Sequence, residues 1–229
     1  MCDPQVVSDF VNLRRTLVLP FSALGGKPCA MQPADIARSY DAIAERWLEP
    51  HLEDNGIRQH EHALKFRASP GGRALDVGCG CQGRFIRLLA RHGYTVEGLD
   101  VSARMIALAR EREPQVTFHH ADVCDWQPDG LYDFITAWDS IWHLPLERNA
   151  AVITQLCHAL APGGIFIFTL GGLDAPEEKQ DTSMGVPMHY STLGISQTLQ
   201  TLTTAGCVCR HLEYDQYPES HVFVIAQKG

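Results

Sequence analysis

The segment Ala74-Leu75-Asp76-Val77-Gly78-Cys79-Gly80-Cys81-Gln82-Gly83 ends an apolar run in a turn of glycines, and Asp100 closes the next apolar run. A backbone without Cβ atoms lets a ligand come close. A carboxylate at the tip of the following strand can accept hydrogen bonds from both hydroxyls of a ribose. Together they point to an adenosine-containing small molecule. Gly78-Cys79-Gly80-Cys81-Gln82-Gly83 also fits the GxGxxG dinucleotide fingerprint. Asp76 argues against that reading, because a pyrophosphate gains nothing from a nearby negative charge, whereas a cationic sulfonium or amino group does. Asp76 also has a simpler use, capping the helix that follows.

These residues need a scaffold of alternating strands and helices. Short apolar runs predict strands at Arg73–Val77, Tyr94–Asp100, Val116–His119, Tyr132–Trp138 and Ile165–Leu170. Between them, helical spacing predicts Arg84–His92, Ala103–Arg112 with Ser102 as its N-cap, and Leu146–Leu160. Earlier helices are expected at Ala34–Leu48, between Pro33 and Pro50, and at Gln59–Ala68. Such alternation implies a mostly parallel sheet. After a long polar loop at Gly171–Ser191, a helix is expected over Thr192–Ala205, then strands Val208–Tyr214 and His221–Gln227. The short Gln216–Ser220 link forces those two strands antiparallel. A doubly wound dinucleotide fold would end in a second mononucleotide half instead. The domain reading is an N-terminal arm over 1–35 and a catalytic domain over 36–229.

The chain has 229 residues and a net charge of −8, which argues against a nucleic-acid backbone as its main partner. No apolar run is long enough to span a bilayer and no signal peptide is visible, so the expectation is a cytoplasmic protein. The eight cysteines lack zinc spacing, and no metal is expected. Cys207 and Cys209 share a strand face and are read as small packed thiols.

With these motifs in place, the chain resembles the class I S-adenosylmethionine-dependent methyltransferases of the small-molecule type. The resemblance runs from about Tyr40 to Lys228. Leu75–Gly80 is similar to the family's first motif, Val96–Ser102 to its second and His120-Ala121-Asp122-Val123 to its third. Tyr132–Trp138 with His143-Leu144-Pro145 is similar to the fourth, and Leu160-Ala161-Pro162-Gly163-Gly164 to the fifth. The resemblance implies a Rossmann-like α/β fold with a seven-stranded, mostly parallel sheet and an antiparallel terminal hairpin. It also implies S-adenosylmethionine as cofactor. The backbone of Gly78, Cys79 and Gly80 would pack on it, Asp76 would face its methionyl end and Asp100 its ribose. Val101, Met105 and Val123 would sandwich the adenine, with Asp122 accepting from its amine. The backbone at Trp138 would lie near the amino group, and Tyr40 would close over the cofactor. Asp122 as an ordinary strand-end aspartate, and Met105 and Tyr40 as packing residues, stay open.

Methyl transfer from a sulfonium needs alignment and shielding from water more than a fixed set of catalytic groups. Ligands of such sheets sit outside the carboxyl ends of the strands. That rule singles out Trp138–His143, the loop 171–191 as a lid, and the hairpin tip Asp215–His221. His143 is the candidate base, or a structural histidine bonding a loop carbonyl. Asp139 would orient an acceptor amine or hydroxyl. His189 and Tyr190 end the lid, which carries Met184, Pro187 and Met188. Glu219 and His221 are candidates from the hairpin, or belong to a solvated turn. The Asn/Asp-Pro-Pro-Tyr/Phe element of amino-group methyltransferases acting on nucleic acid or glutamine is absent after Ala137, which leaves a small-molecule acceptor. A nicotinamide-dependent oxidoreductase and a non-catalytic S-adenosylmethionine-binding module are the alternatives.

Overall fold

A computed structural model of the chain describes residues 31–49 and 54–229. Most of the expected arm, residues 1–30, and Pro50 lie outside the described residues. The first helix, α1 (Pro33–Ile43), starts on a proline, whose missing N–H matters least there. The helix expected to run to Leu48 instead tightens into a 3₁₀ segment at Ala44–Leu48. α2 spans Ile57–Leu64.

The α/β core then follows as β1 (Gly72–Val77), α3 (Arg84–Arg91), β2 (Tyr94–Asp100), α4 (Ala103–Arg112), β3 (Thr117–His120) and β4 (Tyr132–Ala137). A 3₁₀ turn at Ile141–His143 leads into α5 (Leu146–His158) and β5 (Leu160–Gly171). Ser102 caps α4 as expected, its hydroxyl accepting from the Met105 N–H at 3.1 Å. The chain closes with β6 (Glu177–Asp181), β7 (Met188–Thr192), α6 (Ile195–Thr204), β8 (Cys207–Glu213) and β9 (His221–Lys228).

Seven strands form one sheet in the order β3-β2-β1-β4-β5-β9-β8. β1 to β5 are parallel, while β9 runs antiparallel to β5 and to β8. Both faces are covered. Ile153 and Leu156 of α5 and Leu202 of α6 pack on Leu75, Phe166 and Phe168. On the other face Ala63, Phe85, Leu89 and Ile106 from α2, α3 and α4 pack on Ala74, Ile165 and Ile167. Alternate residues of β5 therefore serve opposite layers, which explains its unbroken apolar run.

One expectation fails. The segment 171–191 is not a plain loop, because β6 and β7 form a two-stranded antiparallel hairpin. β7 is buried along Met188, His189, Ser191 and Thr192, while β6 is exposed almost throughout. Ser39 of α1 donates to the Pro187 carbonyl at 2.6 Å and Arg46 to the Met184 carbonyl at 2.7 Å, so the hairpin is tied to the first helical segment.

Candidate active site

The sheet order reverses between β1 and β4, which places a crevice at the carboxyl ends of these two neighbours. The glycine turn after β1 forms one wall. Gly78 and Cys79 both donate to the Leu99 carbonyl, at 2.7 and 3.1 Å, so the turn is folded over the end of β2. Gly78 has φ of 68°, and a Cβ there would sit 2.2 Å from the Ser140 Cβ. Gly80 has φ of 56°, and a Cβ there would meet nothing within 4 Å. One glycine lets β4's turn approach, and the other opens onto free space.

Asp100 stands beside that opening. One of its oxygens accepts from the Gly80 N–H at 2.9 Å and the other from the Ser102 N–H at 2.8 Å. Burial raises its pKa, against those two hydrogen bonds. Asp100 thus fastens the glycine turn to the start of α4, a structural role that its place at a strand tip did not reveal. Asp76 is buried at the end of β1, and desolvation pushes its carboxyl up to about 7, reinforced by Asp100 and opposed by Arg84. A carboxylate in that condition favours a cationic partner.

The residues expected at the adenine follow β2 and β3 or lie in α4. Val101 is half-buried, and its carbonyl lies 3.1 Å from His120 Nε2. Met105 is buried with Ala44, Cys81 and Leu108, and Tyr40 packs against this cluster. Asp122 accepts from the Cys124 N–H at 2.9 Å, and Val123 belongs to the main core. Asp41 binds α1 to this edge by accepting from the Ser102 hydroxyl at 2.5 Å and the Arg104 N–H at 3.0 Å. The Trp138 ring packs against His60, Phe85, His221 and Phe223.

The opposite wall is polar and aromatic. His143 Nδ1 lies 2.7 Å from the His189 carbonyl, so it carries a proton and donates it. Its Nε2 receives the Trp142 indole N–H at 3.1 Å and the Tyr40 hydroxyl at 2.8 Å. Burial drives His143 down to about 4, against the carbonyl contact. The imidazole is therefore neutral at pH 7, and its lone pair is shared by two donors. The base expected there is, in this geometry, the hub of a junction. Tyr40 is pushed well above the usual phenol range by burial, then by Tyr190, Asp100 and Asp139. The Tyr190 ring lies 5.0 Å from that of His143 and 5.3 Å below the Lys179 ammonium. His189 is 1% exposed, and neither ring nitrogen has a hydrogen-bond partner among the described residues.

Asp139 follows β4 in a left-handed conformation, with φ of 52°. Its N–H donates to Thr169 Oγ1 at 2.8 Å, and its carboxylate meets His221 Nε2 at 2.9 Å. Sequence reasoning named Asp139 and His221 separately and reached Asp215 only as one end of the hairpin tip. It missed His60, which is stacked on Phe85 at 3.8 Å and bonded to Thr136 and the Gly56 carbonyl. Glu219 of the hairpin turn donates its N–H to the Gln216 carbonyl at 2.9 Å.

Known proteins fit this architecture. A family model described as a methyltransferase domain matches residues 74–164. The chain is 35% identical over 151 residues to the dTDP-3-amino-3,6-dideoxy-alpha-D-glucopyranose N,N-dimethyltransferase of Streptomyces fradiae, covering 64% of this chain and 57% of that protein. It is 34% identical over 142 residues to the trans-aconitate 2-methyltransferase of Paracidovorax citrulli, covering 59% and 51%. The chain thus spans little more than half the length of these curated relatives. In fold, it matches the Burkholderia thailandensis 1,6-didemethyltoxoflavin-N1-methyltransferase with a TM-score of 0.66 at 16% identity, over 90% of this chain and 94% of that one. The matched segment is similar to a methyltransferase domain, and the strand order with the crevice at β1 and β4 is that of the class I methyltransferase fold.

Proposed function

We propose that this protein transfers a methyl group from S-adenosylmethionine to a small-molecule acceptor in the crevice beyond β1 and β4. The observation that carries this reading is the open cradle at Gly80, with the Asp100 carboxylate fixed at its rim. The residues present fit the cofactor. Gly78, Cys79 and Gly80 offer backbone without side chains in the way, and Asp100 has lone pairs left for ribose hydroxyls. Asp76, buried and raised toward neutrality, gains from a cation beside it. Val101 after β2, Met105 in α4, and Asp122 and Val123 after β3 are the residues we assign to the adenine, with Tyr40 packed on the Met105 cluster.

When bound, the cofactor supplies an electrophilic methyl carbon on a sulfonium. Held by the backbone of Gly78–Gly80 and by Asp100, it would give that methyl to the acceptor's lone pair, with S-adenosylhomocysteine as the leaving group and any released proton passing to solvent. This chain's residues hold the acceptor in line and keep water out. Tyr190, Trp142 and the inner strand of the β6–β7 hairpin wall the site, and the two orphaned nitrogens of His189 are polar groups that a bound molecule would satisfy. We assign His143 to fixing Tyr40 and Trp142 in place.

The partners in this reading are small molecules, with no nucleic acid or membrane, and the acidic chain, at net charge −8, acts in the cytoplasm. Among the described residues no helix is long and apolar enough to cross a membrane. The test is transfer of labelled methyl from the cofactor to a library of small metabolites. Label in a small-molecule product supports the reading. Incorporation only into protein or nucleic acid contradicts it.

A further inference from the structure

Beside the cofactor cradle lies a buried charged array that joins three elements. His221, at the start of β9, has its Nδ1 2.5 Å from Asp215 Oδ1 and its Nε2 2.9 Å from Asp139 Oδ1. Ionised carboxylates only accept hydrogen bonds. An imidazole with a carboxylate on each nitrogen therefore carries both protons and a positive charge. The three groups sum to a single net negative charge. Both carboxylates are braced, Asp215 Oδ2 by Gln59 Nε2 at 2.8 Å and Asp139 Oδ2 by Asn55 Nδ2 at 3.3 Å.

The array is asymmetric. The Asp215 side chain is 6% exposed and that of His221 4%, whereas that of Asp139 is 24% exposed. Asp139 is thus the end that faces outward. Its backbone is held in the left-handed region that a non-glycine residue seldom adopts, a conformation that persists where surrounding structure enforces it and that clusters at functional sites. The enforcement is visible in the Thr169 bond to its N–H and in Ser140, whose hydroxyl donates to the Val77 carbonyl at 2.8 Å while its Cβ fills the notch at Gly78. The strained turn therefore sets the Asp139 carboxylate one residue away from a direct contact with the glycine turn.

We propose that Asp139 is the acceptor-binding carboxylate of this site, that His221 and Asp215 are its positioning residues, and that it selects acceptors whose nucleophilic atom bears a proton, an amine or hydroxyl, over carboxylate acceptors. This rests on the methyl-transfer reading above. An N–H or O–H donated to Asp139 turns the acceptor's lone pair away from the carboxylate and toward the cradle. A carboxylate acceptor has no proton to donate and meets the net negative array, with the Asp100 carboxylate also in the crevice. Other charged or titratable groups coupled to Asp139 include Arg84, His60, His143 and Tyr40. His60 and His143 are held neutral by burial, and Tyr40 keeps its proton. Arg84 donates to the Asn55 carbonyl at 2.9 Å and to Gln82 and lies over the Phe85 ring, so those donors are already committed, while its charge offsets part of the array's.

Calorimetry with S-adenosylhomocysteine separates the two layers of the argument, since absence of binding sinks the methyl-transfer reading itself. With binding established, labelled cofactor is offered with matched scaffolds ending in an amine, a hydroxyl or a carboxylate. Label is expected on the amine or hydroxyl members. His221→Gln and Asp215→Asn are expected to raise KM for the best acceptor by about tenfold or more, with cofactor affinity kept. Independently of turnover, nitrogen-15 NMR of the wild type is expected to show a doubly protonated His221 at about pH 8, well above an ordinary imidazole. Base-labile label on the carboxylate members, label on no member despite cofactor binding, an unchanged KM in both variants, or a neutral His221 at that pH each overturn the proposal.

Discussion

Replacing His143 with alanine removes the hub of a three-way junction, and its effect on stability has a pH signature. In the wild type the ring donates to the His189 carbonyl at 2.7 Å and accepts from Tyr40 at 2.8 Å and Trp142 at 3.1 Å. A buried polar group stripped of its partner costs about 1–3 kcal/mol, and water entering the space left behind recovers part of that for three groups together. We expect His143→Ala to destabilise the fold by about 2–4 kcal/mol at neutral pH. Burial lowers the folded-state pKa from 6.5 to about 4. As pH falls, the unfolded chain takes up this proton first, so the wild type loses stability between those two values and keeps it in full above the upper one. Some 1.5 pH units below the unfolded value the loss is about 2 kcal/mol, at 1.36 kcal/mol per unit. The variant has no imidazole to titrate. Urea unfolding of both proteins at about pH 7.5 and about pH 5 should therefore show the gap between them narrowing by about 2 kcal/mol. A gap that stays constant refutes the neutral, buried junction.

The two glycines of the cradle should respond differently to alanine. Gly80→Ala places its Cβ in open space and should fold with a loss of about 1–2 kcal/mol from its left-handed backbone, while cofactor affinity in a titration drops by about tenfold or more. Gly78→Ala drives a methyl against Ser140 and should cost more than about 3 kcal/mol in thermal unfolding; equal behaviour of the two would contradict the assignment of the open side. Asp100→Ala should weaken cofactor binding at least about tenfold, and because Gly80 and Ser102 lose their acceptor it should also lower stability by about 2 kcal/mol, which chemical denaturation would show. Limited proteolysis should cut the tip of the β6–β7 hairpin near Ser183–Gly185, and cofactor with product should slow that cut if the hairpin acts as a lid; cleavage indifferent to ligands counts against closure.

The elements that hold the cradle were legible because their signals are local. β2 and α4 fall on the residues that apolar runs and the Ser102 cap predict, and the order of strands and helices implied the parallel sheet. The β6–β7 hairpin escaped notice because Glu177-Glu178-Lys179-Gln180-Asp181 has no apolar face, and a strand exposed on both sides leaves no alternation to read. The cofactor cradle was visible for the same local reason, since glycines and a strand-end carboxylate lie within one βαβ unit. The acceptor wall was not. Tyr40 meets His143 across 103 positions and His221 meets Asp139 across 82, and only the folded sheet brings the start of β9, paired with β5, to the turn after β4. That distance explains why sequence left His143 open between a base and a structural histidine bonding a loop carbonyl, whereas the folded geometry matches the second. Asp139 carries no sequence mark of its left-handed backbone, because nothing in an isolated Trp-Asp-Ser stretch requires it.

The account's central claim is that the crevice beyond β1 and β4 is built for S-adenosylmethionine, and direct titration of the purified chain tests it. Calorimetry with S-adenosylmethionine, S-adenosylhomocysteine and NAD should show binding of the first two at one site per chain and none of the third. The Asp100→Ala variant should lose most of that heat. Binding of NAD alone, or of no adenosine compound to a folded chain, would contradict the account.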